Sequence, residues 1–144
     1  MVAVSIGGRS RDAAIRSLGV KGEAGKPTPL LNALAADLRR YFAGERVGFS
    51  RYRLDLSGVP PFLAKALRQA RGIPYGQVRS YGWLAAAAGN PRAARAAGQA
   101  MARNRLPIIV PCHRVIASDG SLGGFGGGLE MKRRLLELEG VRLS

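Results

Sequence analysis

Two helical stretches separated by Gly89-Asn90-Pro91 restrict what this chain can fold into more than any other feature. Ser80 is placed to cap a short helix over residues 81–88, which Gly89 closes. Asn90-Pro91 then opens a second helix running to about Arg103. Two helices split by so tight a turn form a helix-turn-helix signal. The second helix has a particular face: Arg92, Arg95, Gln99 and Arg103 recur at helical spacing, with Ala93 and Ala96 beside them.

The rest of the chain is read around that unit. Residues 2–6 suggest a short strand, and residues 7–27 are Gly-rich without clear periodicity. Thr28-Pro29 has the form of an N-cap followed by proline at the first helical position. Leu30, Leu31, Leu34, Leu38 and Tyr41 follow at helical spacing, and Gly44 ends the element. Residues 47–56 alternate, with Tyr52, Leu54 and Leu56 on one face, which predicts a strand. Ser57-Gly58-Val59-Pro60-Pro61 is the best candidate boundary. Beyond it, Phe62, Leu63, Ala66, Leu67 and Ala70 make an amphipathic helix that ends at Gly72, followed by an Ile73-Pro74-Tyr75-Gly76 turn. After the helix-turn-helix, Val115-Ile116 and Leu122 flank an Asp119-Gly120 hairpin signal, which suggests a winged-helix arrangement. Residues 123–128 form a Gly-rich loop, and residues 129–139 a final helix stopped by Gly140. The reading is α+β, with an amino-terminal α/β piece over 1–57 and a mostly helical domain over 58–144.

Charge and cysteine usage narrow the partners. Lys and Arg number 23 against 9 acids, a net +14, and both parts of the chain are basic, the second more so. Such a balance favours an anionic polymer, because each neutralised phosphate releases condensed counterions. A solvated, arginine-rich surface would give the same total. With one cysteine, an internal disulfide is impossible, and one histidine makes a Cys/His zinc site a poor expectation. No apolar run reaches membrane-spanning length, and the opening MVAVSIGGRSRDAAIRS lacks the features of a signal peptide. No metal, no cofactor and no membrane partner are expected, and the expected location is cytoplasmic.

Cys112 stands beside the only histidine, His113, and after Pro111. A thiol becomes a good nucleophile as the thiolate, which a neighbouring base promotes. A lone cysteine is also commonly a small apolar filler, and sequence neighbours often point apart. The wider pattern adds to this pair. Pro111-Cys112-His113-Arg114-Val115 resembles the active-site signature of the O6-alkylguanine-DNA alkyltransferases, the methylated-DNA–protein-cysteine methyltransferases. The similarity extends to Ile73-Pro74-Tyr75-Gly76, Ser80-Tyr81, Gly89-Asn90-Pro91, Ala94-Arg95-Ala96, Arg103-Asn104, Pro107-Ile108, Gly127-Gly128-Leu129 and Glu139-Gly140. It covers essentially all of residues 60–142.

The resemblance implies roles for particular residues. Cys112 would take the alkyl carbon from the guanine oxygen. His113 would act through a bound water as base for the thiol, with Glu139 orienting and charging the imidazole. Tyr81 would donate to the departing guanine and help rotate the nucleotide outward. Backbone carbonyls of Cys112 and Val115 would recognise the guanine amino group, amides near Phe125 and Gly126 would face its oxygen, and Pro107 would line the alkyl pocket. Asn104 would tie the helix-turn-helix to the reactive turn. Arg95 would enter the base stack in place of the extruded nucleotide, with small alanines, Ala93, Ala94, Ala96 and Ala97, allowing close approach to the minor groove. Arg92 and Arg103 would contact phosphates.

Without the resemblance, Tyr81 reads as a packing aromatic, Asn104 as a helix C-cap, Arg95 as a surface arginine and Glu139 as a solvated helix end. By the same resemblance, residues 1–57 would be a short RNase H-like remnant packed on a winged-helix alkyltransferase domain. The implied substrate is double-stranded DNA containing O6-alkylguanine, repaired in a single turnover by a monomer. Other readings are a noncatalytic alkyltransferase-like lesion-binding protein, a helix-turn-helix transcription regulator, and a Cys-His-Glu hydrolase that would leave Arg95 and the basic surface unexplained.

Overall fold

The computed structural model describes residues 28–104, 106–123 and 128–142. The strand expected at residues 2–6, and Phe125 and Gly126, lie outside the described residues. The chain forms α1 (Pro29–Phe42), α2 (Pro61–Arg71), β1 (Arg79–Ser80), α3 (Tyr81–Ala87), α4 (Ala94–Ala102), a 3-10 turn (Cys112–Arg114), β2 (Val115–Ile116) and α5 (Leu129–Leu138).

Local chemistry sets the helix starts. The Thr28 hydroxyl accepts the Leu31 N–H at 3.1 Å, and the Ser80 hydroxyl accepts that of Trp83 at 3.0 Å. On α1 the buried residues are Leu34, Asp37 and Tyr41, whereas Leu30 and Leu31, expected on the apolar face, are exposed. The second helix of the helix-turn-helix starts later than the sequence suggests. Asn90 Oδ1 instead accepts the Arg92 N–H at 3.1 Å in a turn, and α4 begins at Ala94. Arg92 therefore precedes the helix and does not extend its face.

Residues 47–56 are not a strand. The alternation is real: Tyr52 is buried, Leu54 and Leu56 are half-buried, and the residues between them are exposed. Yet among the described residues no neighbouring strand pairs with them. A turn (Tyr52 N–H to Phe49 C=O, 3.2 Å) interrupts the segment. Arg71, at the end of α2, donates to the carbonyls of both Phe49 and Tyr52, supplying bonds that a sheet would have supplied. Asp37 holds the same segment from the α1 side, accepting the Tyr52 hydroxyl at 2.6 Å and pairing with Arg51; the Tyr52 bond, followed by the arginine, keeps its carboxyl below the usual range.

One apolar core joins Leu34, Tyr41, Val47, Phe49 and Tyr52 to Leu67, Leu84, Met101, Ile109, Val115 and Leu135. Within it α3 packs on α4, and α2 lies against both. The only ladder among the described residues is short and parallel, Arg79 with Val115 and Ser80 with Ile116. The Asp119-Gly120 turn forms, with Ala117 N–H donating to Ser121 C=O at 2.9 Å. β2, however, pairs with β1 in parallel and not as one arm of a described antiparallel hairpin, because α3 presents Arg79-Ser80 alongside it. The molecule is α+β with little strand.

Candidate active site

The turn that carries Cys112 is built from consecutive backbone constraints. Pro111 (φ −77°, ψ 66°) forms an inverse γ-turn, closed by the Cys112 N–H on the Val110 carbonyl at 2.7 Å. The 3-10 turn follows, with Arg114 N–H donating to Pro111 C=O at 2.9 Å. Cys112, His113 and Arg114 are consequently all buried. Just upstream, Ile108 is held at φ 74°. A β-branched residue there costs on the order of 1–3 kcal/mol, so its surroundings must enforce it. Asn104 contributes to that: its Nδ2 donates to Val110 C=O at 2.9 Å, and its Oδ1 accepts the Leu106 N–H at 3.0 Å. It is the residue after the α4 C-cap, Arg103, and not the cap itself.

Helix α5 delivers the charged partners. Lys132, Leu135, Leu136 and Glu139 recur at intervals of three and four, so one helical face carries two apolar and two ionisable side chains into the core. Glu139 is buried and not solvated. Its Oε2 lies 2.5 Å from His113 Nε2 and 2.5 Å from the Tyr41 hydroxyl. Arg114 holds it through Nε to Oε1 (2.7 Å) and Nη2 to Oε2 (3.1 Å), and the Gly76 N–H donates to Oε1 at 3.1 Å. Burial alone would raise this carboxyl; the bonds from His113, Arg114 and Tyr41 together outweigh it and hold it at about 2. Gly76 has φ 79°, and a Cβ there would sit 3.2 Å from the Glu139 carbonyl, so the Ile73-Pro74-Tyr75-Gly76 turn needs glycine to approach this closely.

This arrangement fixes the histidine tautomer. An ionised carboxylate can only accept, so Nε2 carries the hydrogen facing Glu139. The neutral ring then presents Nδ1 as a bare lone pair. Burial keeps His113 below the ordinary imidazole range against the pull of Glu139. Nδ1 is buried and takes no hydrogen bond from the described residues, so the nitrogen free to accept a proton lies away from Glu139. Burial pushes the Cys112 thiol up, opposed by the Asn104 side chain, the Lys132 charge and nearby backbone amides.

Lys132 is fully buried. Its Nζ donates to Val115 C=O at 2.7 Å, to Leu122 C=O, and to the Tyr81 hydroxyl at 3.2 Å. Burial pushes it down to about 8, with Cys112 opposing. A cation against a phenol oxygen makes its O–H a stronger donor. The Tyr81 ring is held by close backbone: a Cβ on Gly98 would lie 3.7 Å from it, and one on Gly123 only 2.7 Å, at φ 68°.

The structure brings Cys112, His113, Glu139 and Val115 together in the core, with half-buried Asn104 bonded to Val110 beside them and Tyr81 joined through Lys132. The Cys112 carbonyl accepts the Val115 N–H, and the Val115 carbonyl accepts from Lys132. Pro107 is half-buried and bridged to Val110. Arg92, Arg95 and Arg103 are exposed. Arg95, Gln99 and Arg103 share a solvent face of α4, together with exposed Ala96, whereas Ala97 points into the core and offers no surface for close approach. Three polar residues of the buried cluster, Tyr41, Arg114 and Lys132, received no functional role from the sequence. The signal for Lys132 was a charge at core spacing with Leu135 and Leu136; for Arg114 it was the motif itself. Among the described residues, no group of three or more His, Cys, Asp or Glu side chains could hold a metal.

Residues 61–141 match the family described as 6-O-methylguanine DNA methyltransferase, DNA binding domain. The chain belongs to this family. It is 52% identical over 113 residues to the methylated-DNA–protein-cysteine methyltransferase of Methanopyrus kandleri, covering 77% of this chain and 82% of that protein. It is 48% identical over 117 residues to the constitutive methyltransferase of Bacillus subtilis, covering 81% and 70% respectively. The structure of Mycobacterium tuberculosis OGT in complex with DNA superposes with a TM-score of 0.70 at 43% identity, covering 83% of this chain and 74% of that one. The matched residues therefore include the helix-turn-helix, the Cys112 turn and α5.

Proposed function

We propose that the protein repairs DNA by direct reversal, moving an alkyl group from the O6 atom of guanine in duplex DNA onto Cys112. The observation that carries this reading is a buried thiol on a rigid turn, followed by an imidazole whose Nε2 is engaged by Glu139 and whose Nδ1 is left as a base. The Cys112 proton passes to His113 Nδ1 through a bound water. The sulfur forms a bond to the alkyl carbon as the carbon–O6 bond breaks, and its electron pair leaves with guanine. Tyr81, its hydroxyl polarised by Lys132, donates a hydrogen bond or proton to that departing base. Products are an S-alkylcysteine and unmodified guanine.

A thioether is a poor leaving group and the chain has no second cysteine, so each molecule works once. No cofactor is used. O6 is hidden in the stacked duplex, so the nucleotide must be extruded. Arg95 fills the gap from the exposed face of α4, and Arg92 and Arg103 contact phosphates. Pro107 lines the alkyl pocket, and the carbonyls of Cys112 and Val115 and the amides near Phe125 and Gly126 hold the guanine. Residues 1–57 form a reduced, RNase H-like amino-terminal domain on a winged-helix domain, 58–144, in a cytoplasmic monomer. No helix among the described residues is long and apolar enough to cross a membrane.

The test is titration of protein with duplex DNA bearing one labelled O6-methylguanine. Label should accumulate on protein to one equivalent and stop, and Cys112→Ala should take up none. Continued turnover, or lesion-selective binding with no label on the wild type, would contradict the reading.

A further inference from the structure

The catalytic apparatus described above is drawn from the matched region, but one of its contacts comes from outside it. Tyr41 lies on α1, twenty residues before the match begins. It is fully buried, its hydroxyl donates to Glu139 Oε2 at 2.5 Å, and the same oxygen lies 3.4 Å from His113 Nε2. Its ring is fixed by edge contacts with Phe42, Phe49 and Tyr75 at centroid distances of 5.4, 6.0 and 6.2 Å. We infer that Tyr41 is a positioning residue for alkyl transfer, through which the amino-terminal segment sets the basicity of the His113–Glu139 pair. This rests on the reading that His113 is the base for Cys112.

Two donors compete for a single oxygen. Glu139 Oε2 accepts from both Tyr41 and His113, and hydrogen bonds to an ionised acceptor are the strong ones. Each donor withdraws charge that the carboxylate would otherwise direct at the imidazole. With the Tyr41 hydroxyl in place, Glu139 orients His113 without drawing it fully into the imidazolium form, so Nδ1 stays unprotonated and able to take the thiol proton. The other groups facing the pair are Arg114, which holds the same carboxylate and disfavours a second cation, and Lys132, whose charge acts in the same sense. Tyr75 stands against both Tyr41 and Arg114. Burial is the largest influence on the Tyr41 hydroxyl, followed by the Glu139 bond; both raise it, so it remains a donor throughout the working pH range. The contact to His113 at 3.4 Å acts the other way, favouring a proton on Nε2, but it is much longer than the bond to Glu139 and gives way to it.

Tyr41→Phe keeps the ring and deletes the donor. His113 is the only histidine, so its imidazole signals in a nuclear magnetic resonance titration are unambiguous. In Tyr41→Phe, His113 should become protonated at higher pH than in the wild type. The acid limb of single-turnover methyl transfer should move with it, giving rates about three- to tenfold lower on the acid side and unchanged on the alkaline plateau. Site-specific 3-fluorotyrosine at position 41, a stronger donor, should move both in the opposite direction, and serves if the phenylalanine variant folds poorly. Superimposable titrations and pH–rate profiles for wild type and variants would overturn the inference and leave Tyr41 a packing residue. A wild type that accepts no methyl group would instead defeat the proposed function, an outcome the imidazole titration does not depend on.

Discussion

The surroundings of Cys112 and the outer face of α4 are both rich in polar side chains, but they treat those side chains in opposite ways. Around Cys112, Glu139 alone receives donors from Tyr41, His113, Arg114 and Gly76, and Lys132 is shared among Val115, Leu122 and Tyr81. On α4, Arg95 and Arg103 are exposed and take no partner among the described residues. The first region spends its polar groups on one another, so its geometry is set before DNA arrives. The second keeps its charges for the partner. Under the proposed function, proton removal by a fixed tautomer needs the former, and insertion of Arg95 between bases needs the latter.

That contrast makes a graded set of expectations. Glu139→Gln should have the largest combined effect. It leaves the Arg114 guanidinium without its counter-charge and removes the carboxylate that orients His113, costing about 3–5 kcal/mol of stability, and should slow transfer by roughly a hundredfold or more. Thermal unfolding and single-turnover transfer would measure both. The same pair predicts acid sensitivity. His113 is held below, and Glu139 well below, its ordinary range, so the unfolded chain binds more protons as pH falls. Stability should be full above the unfolded histidine value of 6.5 and fall on acidification, with Glu139 adding its loss between 4.5 and about 2. Denaturant titrations at several pH values should show this slope, with the loss between 4.5 and about 2 absent in Glu139→Gln.

Arg95→Ala probes the outer face of α4. Extrusion costs a few kcal/mol, so losing part of the offset should slow repair of duplex DNA by about ten- to a hundredfold. Reaction with the free O6-methylguanine base, and stability to within about 0.5 kcal/mol, should be unchanged. Equal losses on duplex and free base would place Arg95 in the chemistry and dissolve the distinction. The smallest effect belongs to Arg103→Ala: uniformly weaker DNA binding, with the salt dependence reduced by about one phosphate contact. Binding isotherms across a salt series would read it.

How much of this was legible in the sequence follows from the range of each interaction. Thr28, Ser80 and Gly140 mark helix ends through bonds within a few residues, and their positions could be read directly. Residues 47–56 have the alternation of a strand, but a strand is defined by its neighbour; here that place is taken by Arg71 and Asp37, which nothing local announces. Cys112, His113 and Glu139 could be placed together by resemblance, whereas Tyr41 looked like one more apolar position on α1. Its hydroxyl matters only because folding brings it across 98 positions to Glu139. Lys132 was hidden for a related reason: a cation at core spacing is unfavourable until Val115, Leu122 and Tyr81 are arranged around it.

Under the proposed function, the chain's one cysteine irreversibly accepts an alkyl group from DNA. Intact-protein mass spectrometry after incubation with duplex DNA containing a single O6-methylguanine reads that step. A gain of one methyl group is expected, mapped to the peptide bearing Cys112 and absent both with unmodified DNA and in Cys112→Ala. An unchanged mass after incubation with excess lesion, or a methyl group mapped elsewhere, would contradict it.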